Sequence, residues 1–207
     1  MTKKPLDLYQ EYFIDHDFER LDLFHQLAEK YPVQRVLYPG SFVHITPSFV
    51  FPFTTYVDSD KRAHKFFQSP GLGDFIEARK IYPQKAVFNF HAADYREPFC
   101  EADKSFDILI SQYAGFVSQH CKSYLKIGGI LLVNNSHGDA GMASIDRDYA
   151  LIGVIIRRSG NHRISEKNLD TYFIPKMPIN NIREVLEKTQ KGIGYTRTAS
   201  SYLFRRI

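Results

Sequence analysis

The sequence has no tryptophan, only two cysteines (Cys100 and Cys121), and no long apolar run. Two cysteines cannot build a disulfide framework, which favours a reducing compartment. The longest apolar runs, 130–133 and 150–156, are far shorter than the ~20 residues of a membrane helix. The first seven residues also lack the apolar segment of a signal peptide. We therefore expect a cytoplasmic protein with no membrane partner.

The composition is that of an ordinary globular domain. The chain has 207 residues, of which 43% are hydrophobic and 24% charged, and these values exclude a disordered or fibrous protein. A chain of this length buries about 70% of its extended surface on folding, so its core needs no disulfide or metal. The eight histidines have none of the HxxxH spacings, and the cysteines none of the CxxC spacings, that hold metals. We predict no metal site.

The positive charge is concentrated at the end of the chain. The net charge is +4, and the segment 183–207 holds six basic residues against two acidic ones. Such a tail is compatible with a nucleic-acid partner. A solvated surface is the favoured alternative, because no aromatic residues alternate with the basic ones.

The first part of the chain predicts a helix and then a buried strand. Asp17 is a suitable N-cap, apolar residues recur at helical spacing up to Tyr31, and Pro32 ends the pattern. The apolar run 35–38 follows and leads into the turn residues Pro39-Gly40-Ser41.

Strands and helices then alternate. The predicted strands after the first are 54–57, 86–90, 106–111 and 130–133, and the predicted helices are 61–67, 73–81 and 116–125, the last ended by Gly128-Gly129. Apolar strands that alternate with helices indicate a parallel sheet covered on both faces. Segments 149–157 and 169–174, joined by a polar loop, predict an antiparallel pair at the edge.

These patterns together predict an α/β fold. We expect a three-layer, doubly wound (Rossmann-like), mostly parallel sheet with an antiparallel edge strand. The predicted organisation is a helical cap over 1–32, an α/β domain over 33–178, and a basic extension over 179–207 packed on or beside that domain.

In a doubly wound sheet, ligands bind beyond the carboxyl ends of the strands. Asp58 ends the second strand, 18 residues after Gly40, where such folds hold a ribose diol. A helix N-cap or surface turn is the alternative role for this carboxylate. Asp94 follows the third strand and is placed to accept from an adenine amino group, unless it pairs with Arg96.

In this order of elements the chain resembles the class I S-adenosylmethionine-dependent methyltransferases. The resemblance covers about 33–175 and rests on five segments: Val36-Leu37-Tyr38-Pro39-Gly40-Ser41, Thr55-Tyr56-Val57-Asp58, Ala93-Asp94, Phe106-Asp107-Ile108-Leu109-Ile110 and Leu125-Lys126-Ile127-Gly128-Gly129-Ile130-Leu131-Leu132-Val133. The last is close to the family's Leu-Lys-Pro-Gly-Gly-x-Leu-x-Val pattern.

The resemblance implies S-adenosylmethionine (SAM) as cofactor and methyl transfer as activity. Gly40 and its neighbours would pass under the methionine part, Asp58 would hold the ribose hydroxyls, and Asp94 with Tyr95 would flank the adenine. The implied cofactor-binding residues are Tyr38, Pro39, Gly40, Ser41, Asp58, Ser59, Asp94, Tyr95, Ser111 and Gln112. Together with Tyr113, Ser111 and Gln112 match the position that lines the transferred methyl group and the acceptor.

The first turn departs from the family pattern. The family has acidic-x-Gly-x-Gly-x-Gly there, whereas this chain retains only Gly40 and has Phe42 and His44 at the other two glycine positions and Tyr38 at the acidic one. Lost glycines harm a dinucleotide site more than a SAM site, because SAM has no phosphate for the backbone to approach. A dehydrogenase is thus the weaker alternative, and no P-loop motif occurs.

Two residues are candidates for catalysis. Tyr113 follows the fourth strand and would orient an acceptor, whereas a packing role under a helix is its alternative. His137 follows the fifth strand and would act as a general base, unless it only caps the turn at Gly138. We predict SAM-dependent methyl transfer to a small-molecule acceptor. The alternative is a methyltransferase-fold binding or assembly module that has lost catalysis.

Overall fold

The computed structural model describes residues 5–207 and divides into two compact units, Met1–Phe99 and Cys100–Ile207. The start of the predicted cap, Met1–Lys4, lies outside the described residues. The predicted domain boundaries at 32/33 and 178/179 stay predictions.

The first unit opens with helices. They are α1 (Pro5–Tyr9), a π-helical turn (Gln10–Ile14) and α2 (Leu21–Lys30). The predicted N-cap, Asp17, is wrong: α2 begins after Arg20, and both Asp17 and Arg20 have left-handed φ values of 52° and 58°. The chain reverses direction here before the helix starts, and Phe18 N–H bonds back to the Phe13 carbonyl at 2.7 Å.

A parallel sheet forms the centre of the first unit. Its further elements are β1 (Arg35–Pro39), α3 (Pro47–Val50), β2 (Phe53–Val57), α4 (Lys61–Phe67), α5 (Leu72–Arg79) and β3 (Val87–His91). The strand order is β3-β2-β1, and Tyr38, Tyr56 and Phe90 lie in register. Every strand pair is parallel because a helix connects one strand to the next. Helix α3 was not predicted.

Phenyl rings fill the core of this unit, as the lack of tryptophan requires. Phe24, Phe49, Phe51 and Phe66 are almost fully buried. The buried Tyr56 hydroxyl lies 2.6 Å from Ser48 Oγ and donates to the Ile45 carbonyl, so this polar atom is satisfied inside the core.

The second unit contains a mixed sheet. Its elements are β4 (Phe106–Ser111), α6 (Val117–His120), a 3₁₀ turn (Lys122–Tyr124), β5 (Leu125–Val133), α7 (Asp139–Ser144), β6 (Tyr149–Arg158), β7 (Asn161–Ser165), a 3₁₀ turn (Leu169–Thr171), α8 (Ile182–Thr189) and β8 (Ser201–Arg206). The order is β4-β5-β8-β6-β7; β4 and β5 pair in parallel, and the other pairs are antiparallel.

The helix predicted over 116–125 is present in part, as α6 and the 3₁₀ turn, but its predicted end at Gly128-Gly129 is wrong. Helix α6 is a single turn, and both glycines lie inside β5. The pairing with β4 shifts between Phe106 and Ile108, because Phe106 pairs with Leu125 and Ile108 with Ile130. Gly128 has φ 81°. The glycines thus serve a bulge in the strand rather than a helix stop.

The predicted strand over 169–174 is also wrong. The hairpin partner of β6 is β7, which lies in the predicted loop, and a two-residue turn joins the two strands. Ser159 and Gly160 form this turn with φ values of 50° and 83°. Two positive φ values match the twist of antiparallel strands, so the Ser-Gly pair was the sequence signal for this hairpin.

The end of the basic extension is a strand, β8, which sequence reasoning missed. It lies between β5 and β6, and its residues Ser201–Phe204 are all buried. Strand β6 pairs antiparallel with β8 on one side and with β7 on the other, and β7 forms the edge. The predicted α/β fold with a mostly parallel sheet and an antiparallel edge is therefore confirmed.

Across residues 5–207, no helix has both the length and the apolar character to cross a membrane.

Candidate functional site

The turn after β1 keeps left-handed backbone at two of the family's three glycine positions. Gly40 has φ 64°, and its N–H donates to the Val57 carbonyl at 2.8 Å. Phe42 stands at the second position and has φ 49°. Such a φ costs a residue with a Cβ about 1–2 kcal/mol. The turn therefore has a conformation suited to glycine although Phe42 occupies this position.

The Asp58 carboxylate stabilises this turn by hydrogen bonds. Its Oδ2 accepts from the Phe42 N–H at 2.7 Å, and its Oδ1 accepts from the Asp60 N–H at 2.8 Å. The helix N-cap is Asp60, whose side chain accepts from the Arg62 N–H at 2.7 Å. An ionised carboxylate has about four acceptor sites, so Asp58 retains capacity for two further donors.

The Phe42 ring packs within its own unit. Its centroid lies 5.1 Å from that of Tyr12, and the Arg62 guanidinium lies 4.8 Å above the ring. Arg62 also pairs with Asp60 at 2.7 Å. These contacts stabilise the position of the Phe42 ring and offset part of the strain of its backbone.

His44, at the third glycine position, is a buried core residue. Its Nε2 lies 3.0 Å from the Glu19 carbonyl, and its Nδ1 lies 3.0 Å from the Tyr38 hydroxyl. Because a carbonyl only accepts, Nε2 carries the proton and Nδ1 accepts from Tyr38. The ring stacks on Phe13 at 4.3 Å. Burial lowers the pKa of His44 to about 3, with the nearby Arg20 charge acting in the same direction.

Asp94 pairs with Arg96, which is the alternative to its predicted role at the adenine. Both of its carboxylate oxygens accept from the Arg96 side chain, and Oδ1 also accepts from the Arg96 N–H at 3.0 Å. Tyr95 is half-buried and Ser59 is exposed. The adenine-binding role of Asp94 and Tyr95 and the cofactor-binding role of Ser59 stay predictions.

In the second unit, Ser111 and Gln112 are buried and bonded to protein. Ser111 Oγ donates to Asp139 Oδ2 at 2.5 Å, and Gln112 Nε2 donates to Ser201 Oγ at 3.3 Å. Their predicted cofactor contacts, like those of Tyr38, Pro39 and Ser41, stay predictions.

Asp139 is a buried acid that sequence reasoning did not select. It lies in the first turn of α7 and is 1% exposed. It also accepts from Ser118 through the hydroxyl at 2.5 Å and through the backbone N–H at 3.0 Å. Burial raises its pKa to about 6, against the opposing effect of these hydrogen bonds. The sequence signal for Asp139 was its position six residues after an apolar strand. This signal is weak, because Asp is common at helix starts and there needs no functional role.

Tyr113 and His137, the two predicted catalytic residues, line one cleft of the second unit. The cleft has a volume of about 650 Å³, within the range of about 300–1,000 Å³ that is usual for small-molecule sites. It is lined by Tyr113, Asn134, Asn135, Ser136, His137, Gln190, Lys191, Gly192, Ile193, Thr198, Ala199, Ser200 and Tyr202. Tyr113 is 54% exposed.

Close backbone contacts hold the walls of this cleft together. A Cβ on Gly192 would lie 2.1 Å from the Asn135 carbonyl oxygen, and one on Gly138 would lie 3.0 Å from the Lys191 carbonyl oxygen. Asn134 Oδ1 accepts from the Ser136 hydroxyl at 2.8 Å and from the Tyr113 N–H at 3.4 Å. The loop after β5, the loop after α8 and the turn after β4 therefore form one connected wall.

Among residues 5–207, no three His, Cys, Asp or Glu side chains come together in a way that would hold a metal ion.

Comparison with known proteins identifies the fold class. The chain has a class I methyltransferase-like fold, as its likeness to an O-methyltransferase structure shows. That structure is TomG from Streptomyces achromogenes, which is involved in tomaymycin synthesis and was solved with SAM. Its TM-score is 0.50 at 12% sequence identity, over 79% of this chain and 88% of TomG.

Two further solved structures are similar to a lesser degree. A methyltransferase from Geobacter sulfurreducens matches with a TM-score of 0.48 and 13% identity, over 75% of this chain and 85% of its own. The YcgJ protein from Bacillus subtilis matches with a TM-score of 0.43 and 20% identity, over 59% of this chain and 51% of its own. No protein-family model matches the sequence, and no curated protein does.

Proposed function

We propose that this protein is a SAM-dependent methyltransferase. The observation that carries the proposal is the Asp58 carboxylate, which lies after β2 and binds the turn after β1 at Phe42 N–H, in a chain with a methyltransferase-like fold. TomG, which has the same fold, was solved with SAM.

The residues of the first unit fit this cofactor. Asp58 is half-buried and keeps acceptor capacity for two hydroxyl donors, as a ribose diol requires. The turn over 40–42 retains the left-handed backbone of a glycine-rich loop. We therefore assign Asp58 to the ribose hydroxyls and Gly40 to the methionine part.

The second unit would supply the acceptor side. Bound SAM provides an electrophilic methyl group on a sulfonium, so the protein contributes mainly position and electrostatics. Tyr113 would orient the acceptor through its exposed aromatic ring. His137, exposed in the same cleft, would take the acceptor proton on an imidazole nitrogen as the methyl group bonds to the acceptor.

We propose a small-molecule acceptor in preference to a nucleic acid. Part of the positive charge of the tail is engaged within the protein, since Arg206 donates to the Lys122 carbonyl at 2.7 Å and Arg197 to Thr171 Oγ1 at 2.8 Å. Arg197 also lies 4.5 Å above the Tyr172 ring.

A cytoplasmic location is supported by the low number of cysteines.

The test is a thermal-shift measurement with SAM, S-adenosylhomocysteine and NAD. A ligand at 100 times its Kd adds about 2.7 kcal/mol, and at roughly 2–4 °C per kcal/mol for this chain length the midpoint should rise by about 5–10 °C. We expect this rise with the two adenosyl ligands, with little effect of NAD.

Variants locate the site. Asp58→Ala should abolish the rise and Asp58→Asn should reduce it, whereas Asp103→Ala, which removes an exposed acid of the second unit, should leave it unchanged. No shift at millimolar SAM would refute the cofactor assignment and favour a non-catalytic binding or assembly module.

A further inference from the structure

The cleft of the second unit carries positive charge and, among its described lining residues, no acid. Lys191 is the basic side chain of its lining, and it is exposed, as is the imidazole of His137. Lys191 forms no ion pair with any described residue, whereas Glu187, four positions earlier, lies 3.8 Å from Arg183. The acid nearest to His137 in sequence, Asp139, is buried and bonded to Ser111 and Ser118. The charge of the cleft thus favours an anionic ligand.

The aromatic wall of the cleft is held in a strained conformation. Tyr113 has φ 59°, a left-handed value that is unfavourable for a residue with a Cβ, and its ring is 54% exposed. Its N–H donates to Asn134 Oδ1, the atom that also fixes Ser136. Backbone strain of this kind concentrates where a side chain is aimed at a ligand. An exposed aromatic ring on a fixed turn offers a stacking surface for a planar group.

Neutral hydrogen-bonding groups complete the lining. Ser136, Thr198 and Ser200 each contribute a hydroxyl, and Asn135 contributes an amide. Asn135 Oδ1 accepts from the Gly141 N–H at 3.1 Å, which orients its amide. Hydroxyl and amide groups can pair with ring hydroxyls, and they add no charge to compete with Lys191.

From these three observations we propose that the cleft binds a hydroxylated aromatic carboxylate as the methyl acceptor. Tyr113 stacks on the ring, Lys191 pairs with the carboxylate, and His137 receives the proton of the ring hydroxyl. In that step the methyl carbon–sulfur bond of SAM breaks and a carbon–oxygen bond forms. The electron pair of the broken carbon–sulfur bond stays on sulfur, giving S-adenosylhomocysteine. The acceptor role rests on the proposed function, whereas the binding of the acid does not.

The test measures binding to the full chain by titration calorimetry. The probes are benzoate, 4-hydroxybenzoate and 3,4-dihydroxybenzoate, with their uncharged amides, cyclohexanecarboxylate and inorganic phosphate. We expect the hydroxybenzoates to bind about tenfold or more tightly than their amides, because a hydrogen bond to a charged group is stronger than a neutral one. They should also exceed cyclohexanecarboxylate, which lacks the planar ring.

Variants assign the contacts. Lys191→Gln should weaken hydroxybenzoate binding about tenfold and leave the amides unchanged, whereas Lys188→Gln, the same charge change on the exposed side of α8 outside the cleft, should have little effect. Tyr113→Leu should weaken binding of the aromatic acids but not of cyclohexanecarboxylate, and Tyr113→Phe should retain it.

Three results would overturn the proposal: no binding of any aromatic acid, equal binding of acids and amides, or equal losses in Lys191→Gln and Lys188→Gln. Phosphate that displaces the acids, together with full binding in Tyr113→Leu, would reduce the cleft to a general anion site. The SAM thermal shift is independent of these titrations. A shift without acid binding would refute the aromatic acid alone, and acid binding without a shift would refute the methyltransferase alone.

Discussion

The backbone N–H of Phe42 donates to Asp58 Oδ2 at 2.7 Å, which joins the turn after β1 to the end of β2. This bond holds Phe42 at φ 49° in a position where the family has glycine. A residue with a Cβ therefore adopts here the backbone shape that glycine has in the methyltransferase pattern.

A pair of substitutions at Phe42 tests this strain. Both Phe42→Ala and Phe42→Gly lose the contacts with Tyr12 and Arg62 and should destabilise the chain. The glycine variant should be the more stable of the two by about 1 kcal/mol, because glycine tolerates positive φ. Urea unfolding measures the difference. At Lys65, an exposed residue of α4, the order should reverse, with alanine more stable than glycine by about 1 kcal/mol. The same order at both sites would contradict a strained Phe42.

Asp139 should make the second unit less stable as the pH rises from 4 to 6. Its pKa is about 6 in the folded chain and 3.8 in the unfolded chain, so the folded state binds more protons over this interval. Its stabilising contribution is complete below pH 4 and is lost as the pH rises through 6. The change is on the order of 3 kcal/mol. Urea unfolding at pH 4.5 and 7.5 should show Asp139→Asn gaining stability relative to the native chain at the higher pH. A constant difference between the two proteins would refute the raised pKa.

His44 should make the chain more stable as the pH rises, which is opposite to the effect of Asp139. Its pKa is about 3 in the folded chain and 6.5 in the unfolded chain, so the unfolded state binds more protons between these values. Its contribution is present above pH 6.5 and is lost as the pH falls toward 3. In the native chain the two slopes partly cancel between pH 4 and 6. The stability of His44→Gln should therefore fall with rising pH in this interval, and that of Asp139→Asn should rise. Slopes of equal sign would show that one of the two groups titrates normally.

Gly192 should be required for the wall of the cleft. A methyl group there would lie 2.1 Å from the Asn135 carbonyl oxygen, a backbone atom that cannot move alone. We expect Gly192→Ala to lower the free energy of unfolding by about 1–3 kcal/mol. Gly73→Ala in α5 is the matched control, since nothing lies within 4 Å of its Cβ position, and it should be neutral or stabilising by up to about 1 kcal/mol. Equal effects of the two substitutions would show that the loop after α8 does not rest on Asn135.

Much of the fold was predictable because its signals are local. Apolar runs and the helices between them indicated β1 to β5, and segment 106–111 matches β4 residue for residue. One error has a clear cause, which is that a glycine has the same sequence signal in a bulge as after a helix. Gly128 and Gly129 were assigned to a helix end, and only the pairing of β4 with β5 shows that they form part of a strand.

The candidate site was predictable in its residue types but not in its contacts. Position after a strand selected Asp58, Tyr113 and His137, and the last two do share a cleft. Nothing in the sequence indicates that Lys191 and Gly192, more than 50 residues later, form the opposite part of its wall. Long-range contacts depend on packing, for which a single sequence carries no spacing rule.

By itself, the sequence determined the alternation of strands and helices, the acid after β2 and the excess charge near the end of the chain, because each follows from neighbouring residues. The tertiary structure alone decided that the basic extension ends in a buried strand between β5 and β6, since Ser201–Arg206 acquires its hydrogen-bond partners only from those strands. It also decided that Asp139, an ordinary acid in the sequence, is buried with Ser111 and Ser118 and has a raised pKa, because burial is a property of the folded chain.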